Sequence, residues 1–142
     1  MAAKRGVQDW MFLMSAIMGL VVVYIFQRVS YSQLFFDTLG LAAPTAQVTF
    51  VLDKTVRMVA NDLLCLAIIH IWFADAKVTR LAWWVFIFEL VIVLPVYLVA
   101  KLWLEGPTEL SVPWLQQVHR LIINPLLMGL LMLALLYQSN RK

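Results

Sequence analysis

The chain has 142 residues, of which 63% are hydrophobic, 13% aromatic and 13% charged, with a formal net charge of +3. A soluble domain of this size carries about a quarter charged residues, so too few polar side chains remain to coat a water-facing surface. The small net charge and the absence of a Lys/Arg run argue against a nucleic-acid partner. A single cysteine, Cys65, excludes an internal disulfide, and two histidines give poor support to a protein-built zinc or di-iron centre, so no cofactor is expected. Composition therefore predicts an all-α integral membrane protein.

A bilayer core of about 30 Å needs about 20 apolar residues in a helix. Four stretches qualify: 8–26, 56–74, 81–104 and 113–138. They predict one domain over 1–142, a bundle of four transmembrane helices. The first span follows Lys4 and Arg5, but its apolar core is longer than a signal core and "QRVSYSQ" after it offers no small-residue cleavage site. It reads as an anchor.

A long connection, 27–55, follows, with Tyr31, Phe35 and Phe36 placed for the outer interface and 34–41 apolar enough to lie there. The third connection, "EGPTELSVP", has Gly106 and Pro107 for a turn, while Ser111 and Pro113 suit the cap and first turn of the last helix. Lys4, Arg5, Lys77, Arg80, Arg141 and Lys142 fall on one side. Arg28, Lys54 and Lys101 fall on the other, with Asp37, Asp53, Glu105 and Glu109. The positive-inside rule then puts both termini in the cytoplasm. Trp10, Trp72, Trp83, Trp84 and Tyr137 lie near inner helix ends, and Tyr24, Tyr97, Trp103 and Trp114 near outer ones, as interfacial belts do.

Ionisable groups inside a membrane are costly, so each needs a partner or a role. Helices two and four run in the same direction, which yields an outer layer of Arg57, Asn61, Asp62, His119, Arg120 and Asn124. Both helices fit R-x-x-x-N-x-L-L (Arg57 to Asn61, Arg120 to Asn124), a spacing that sets Arg and Asn on one face. Deeper, His70 and Glu89 come within a few Å in depth, and a hydrogen bond between them would satisfy both; a proton relay is the functional alternative.

Three chemistries compete. Haem ligation by His70 and His119 fails because the two lie at different depths. A cysteine protease or transpeptidase would need Cys65 activated by His119 and Arg120, whereas a lone Cys in an apolar helix is more often a packing residue. A transporter needs broken helices or a repeat, and only Pro95 and Pro125 interrupt the spans. A binding module remains: two arginines at helix starts attract an anion, a lipid phosphate or a carboxylate of a neighbouring protein. The plainer alternative has Arg57 and Arg120 reaching for headgroups while Asn61 and Asn124 tie helices together.

"LFFD" at 34–37, "RMVANDLLCLAII" at 57–69 and "RLIINPLLMGLLMLALLYQ" at 120–138 resemble the small exosortase-associated membrane proteins of Bacteroidetes, including exosortase F system-associated proteins. The match carries over Phe35, Phe36, Asp37, Arg57, Asn61, Arg120, Pro125, Tyr137 and Gln138. Asn124 stands where that pattern has Gln, His119 where a second Arg is common, and Cys65 matches nothing in it. The resemblance implies a non-catalytic accessory to a membrane-embedded sorting enzyme. Arg57, Asn61, Asp62, His119, Arg120 and Asn124 are then expected to form an outer-leaflet seat for that enzyme, its substrate helix or lipid. A cysteine enzyme built on Cys65 is the alternative.

Overall fold

The computed structural model describes residues 6–107, 113–123 and 125–139. Every regular element among them is helical: α1 (Val7–Ile25), α2 (Tyr31–Thr38), α3 (Ala46–Phe73), α4 (Ala76–Phe88), a π-helical segment (Glu89–Val93), α5 (Leu94–Leu104), α6 (Pro113–Ile123) and α7 (Leu126–Ser139). Three helical stretches, Val7–Ile25, Ala46–Phe73 and Ala76–Leu104, are long and apolar enough to cross a membrane. The α6–α7 pair makes a fourth if counted as one bent span. Ser111, Asn124 and the terminal cations at 4, 5, 141 and 142 lie outside the described residues.

The α3 helix begins ten residues before the expected start. Its cap is Thr45, whose hydroxyl accepts from Val48 N–H at 3.5 Å immediately after Pro44. A count of apolar residues misses this turn because Asp53, Lys54 and Arg57 interrupt the hydrocarbon run, although none of them disfavours helix. The last ten residues of the expected 27–55 connection are therefore the start of α3, and α2 occupies eight of the rest. At the far end of α3, Ala74 takes a left-handed conformation (φ 48°) and Asp75 caps α4 by accepting from Lys77 N–H at 2.7 Å. A two-residue turn of this kind forces α3 and α4 antiparallel.

Pairings fix the directions of the remaining helices. Gly19 of α1 meets Leu64 of α3, Leu13 and Ala16 pack with Ile68, and Arg57 reaches Gln27, so α1 and α3 are antiparallel. Met128 of α7 packs with Leu66, Ile69, Ala82 and Phe86. Ile122 of α6 joins Phe50, Met58, Leu94, Tyr97 and Leu98. The chain thus alternates direction, and α2 lies across one end of the bundle, here called the cap end.

Each break has a proline behind it. Pro95 has no N–H to give the carbonyl four residues back, and its ring crowds that carbonyl. The preceding turn widens instead, with Leu94 N–H bonding the Glu89 carbonyl five residues earlier. Pro125 marks a 59° bend between 116–122 and 126–139, so the expected continuous span 113–138 is two helices. The lateral surface is apolar, with Met11, Phe12, Trp84, Val91, Val96, Trp103 and Leu133 exposed. That pattern is compatible with lipid around the bundle.

Candidate binding site at the cap end

The polar residues of α3 share one seam. Lys54, Arg57 and Asn61 recur at intervals of three and four, the spacing of one helix face, and all are buried with neighbouring Asp62. From Lys54 to Asp62 the rise is about 12 Å, so the seam runs from the cap end well into the bundle. Buried charge is tolerated only with partners, and the partners sort it into two layers.

The upper layer is built on Asp53. Its carboxylate accepts from Ser30 Oγ at 2.6 Å and from Ser32 N–H at 2.8 Å, which fixes the N-terminus of α2 against α3. Behind this clamp lies a cavity of about 410 Å³ whose charged lining is Arg28, Lys54, Arg57 and Asp53. Ser30, Gln33, Phe50 and Pro107 contribute further walls, with Lys54 Nζ 5.3 Å from the centre of the Phe50 ring. Among the described residues, three cations line the cavity with one carboxylate that is already engaged by two donors. The cavity is electropositive and of the size that holds a small ligand or headgroup.

Arg57 is the hinge of the site. It is 9% exposed, its guanidinium donates to the Gln27 carbonyl at the end of α1, and its Nε has no hydrogen-bond partner among the described residues. It also lines a second cavity of about 270 Å³, walled by Leu20, Val23, Tyr24, Gln27, Asn61 and Pro125. A polar chamber and a largely apolar one therefore meet at one buried guanidinium.

The lower layer is acidic. Asp62 and Glu89 are 1% and 2% exposed, and their carboxyl groups meet within hydrogen-bonding reach. Ionised carboxylates only accept, so a hydrogen bond between the two requires a proton on one of them. Asp62 Oδ2 and Glu89 Oε2 have no hydrogen-bond partner among the described residues. Glu89 opens the π-helical segment, and its spacing from Ala82 and Phe86 puts it on the face of α4 that packs against α3.

Several expected contacts are not made. His70 is exposed and hydrogen-bonds Thr79 at 3.0 Å, not Glu89. Because α4 starts at Ala76 rather than at 81, Glu89 lies about 8 Å deeper than its expected position. In the antiparallel hairpin, residue 70 meets 79 and residue 62 meets 89. Arg120 is exposed and lines neither cavity. Ile122 and Val118 turn the inner face of α6 to the core, and Arg120, two residues from each, projects from the opposite side. The two R-x-x-x-N sequences thus play different parts: Arg57 and Asn61 face inward, Arg120 outward, and Asn124 lies outside the described residues.

His119 turns toward α5 and is hydrogen-bonded to Tyr97, which is buried and so not part of an interfacial belt. Lys101, expected among the loop charges, is buried in α5 and paired with Glu105. Cys65 packs with Leu66, Ile69, Ala82, Phe86 and Met128. The charged groups that act on it are Asp62 and Glu89, whereas thiolate chemistry needs a cation or a base nearby. Phe35 and Phe36 meet edge to face at 6.1 Å on α2, where Asp37 is exposed. Pro125 lines the second cavity, and Tyr137 and Gln138 are exposed on the last turns of α7.

Arg28, Asp53 and Lys54 belong to the site without standing out in the sequence. Their signal is positional: with α3 starting at 46, Lys54, Arg57 and Asn61 fall on one face, and Asp53 faces the cap of α2. Comparison with protein-family models, curated proteins and solved structures finds no match to the chain.

Proposed function

We propose that this chain is a non-catalytic accessory protein of a bacterial inner membrane, which seats an anionic group of a sorting enzyme, its substrate helix or a lipid in the cavity formed by Arg28, Lys54 and Arg57. The observation that carries this reading is Arg57: a buried guanidinium between two cavities, with an unsatisfied Nε, in an electropositive chamber. An anion placed there gains charge-assisted hydrogen bonds and little competition from Asp53. The sequence resemblance to exosortase-associated proteins supplies the partner class, a membrane-embedded sorting enzyme or its substrate helix. Both termini would face the cytoplasm, with the cap end in the outer leaflet. The surroundings of Cys65 support a packing role for the thiol, not a catalytic one.

The test is capture from native membranes at native expression. A tagged chain should bring down an exosortase-type enzyme, Arg57→Ala should abolish capture, and outward-facing Arg120→Ala should leave it intact. Absence of the enzyme, or capture indifferent to Arg57, overturns the proposal.

A further inference from the structure

The two cavities that share Arg57 differ in character, and the difference specifies a ligand. The larger is lined by Arg28, Lys54 and Arg57 with Asp53, Ser30 and Gln33, and Arg28, Gln33 and Pro107 on its border are exposed at the cap end. The smaller is walled by Leu20, Val23, Tyr24 and Pro125, and Tyr24 on its rim is 67% exposed on the flank of α1. One chamber is thus bordered by exposed residues at the end of the bundle, and the other by an exposed tyrosine on the flank of α1. A free inorganic anion would use only the first. A zwitterionic lipid would bring an ammonium group into a chamber that already holds three cations.

We infer that the paired cavities bind an anionic phospholipid, its phosphate held by Arg57 with Arg28 and Lys54 and its acyl chain resting in the apolar chamber against Leu20 and Val23. Arg57 suits this position because it borders both cavities and its planar fork can donate to two phosphate oxygens. Asn61, one turn deeper on the same face, borders the point where headgroup and chain chambers meet. The inference rests on the cap-end seat proposed above and names its occupant as lipid.

Native mass spectrometry of the full-length protein in mild detergent tests it, with phosphatidylglycerol and phosphatidylcholine of identical chains and soluble glycerol phosphate as probes. Phosphatidylglycerol should bind about tenfold more tightly than phosphatidylcholine, the order of one unit-charge repulsion between the choline ammonium and the lining cations. Arg57→Ala should erase that preference. Val23→Trp, which fills the apolar chamber, should weaken lipid binding while leaving the charged chamber unchanged, and it keeps the test open should Arg57→Ala not fold. Equal binding of the two lipids, or glycerol phosphate binding as tightly as phosphatidylglycerol, overturns the inference. So does a preference insensitive to both substitutions. Lipid selectivity without capture of an enzyme would remove the accessory reading alone; Arg57-dependent capture without lipid selectivity would remove this one alone.

Discussion

Replacing Asp53 with Ala removes the carboxylate that ties the start of α2 to α3. Two hydrogen bonds are lost, from Ser30 Oγ at 2.6 Å and from Ser32 N–H at 2.8 Å. Bonds to a charged group contribute about 1.5–3 kcal/mol each, and Asp53 is half-buried, so solvent screening brings the pair to about 2–3 kcal/mol. That corresponds to roughly a 30- to 150-fold shift in the docking equilibrium of α2. Ser30 also caps α2 by accepting from Gln33 N–H, so its release weakens the first turn as well. Hydrogen exchange in detergent micelles reads this directly. Amides in 31–38 should exchange faster by about that factor in Asp53→Ala, while 58–66 of α3 should be unchanged. Asp53→Asn, which keeps an acceptor without the charge, should fall between. Unchanged protection of α2 in Asp53→Ala would refute the clamp, and with it the wall that closes the cationic chamber.

Three further outcomes follow from the packing. Asp62→Leu or Glu89→Leu alone should destabilise by about 1–3 kcal/mol, because each leaves a buried carboxyl unpaired. The double variant should cost less than the sum of the two, so additive losses in thermal unfolding would contradict the pairing. A Cβ at Gly19 would lie 2.9 Å from Leu64 Cδ2, the end of a flexible side chain. Gly19→Ala should therefore cost under about 1 kcal/mol, while Gly19→Leu should separate α1 from α3 and lower the melting temperature by several degrees; equal melting of the two variants would contradict the close approach. Cys65→Ala should leave partner capture intact, and its loss would restore a thiol chemistry to consideration.

The all-helical layout was legible because composition and run length are strong signals, and three of the four expected spans coincide with long apolar helices. The fourth is broken at Pro125. Depth was less legible. Counting α3 from 56 and α4 from 81 hid the pairings of Lys54 with the seam and of Glu89 with Asp62, since helix starts are set by caps such as Thr45 and Asp75 rather than by apolar content. Facing was harder still. The R-x-x-x-N spacing is identical at Arg57 and Arg120, but which side each helix turns inward depends on its neighbours, here Ile122 and Val118 on α6 against Met58 on α3. The π-helical turn had a visible cause in Pro95; that Glu89 would meet Asp62 followed only from the register of the α3–α4 hairpin.

The central claim, that the cap-end chamber around Arg57 receives a partner's anionic group, is tested most directly by cross-linking in living cells. A photo-reactive residue in place of Gln33, on the chamber wall, should form a discrete adduct with a membrane partner, protein or lipid. The account predicts that this adduct disappears with Arg57→Ala and survives Arg120→Ala. An adduct of equal yield in all three backgrounds, or none in any, would contradict it.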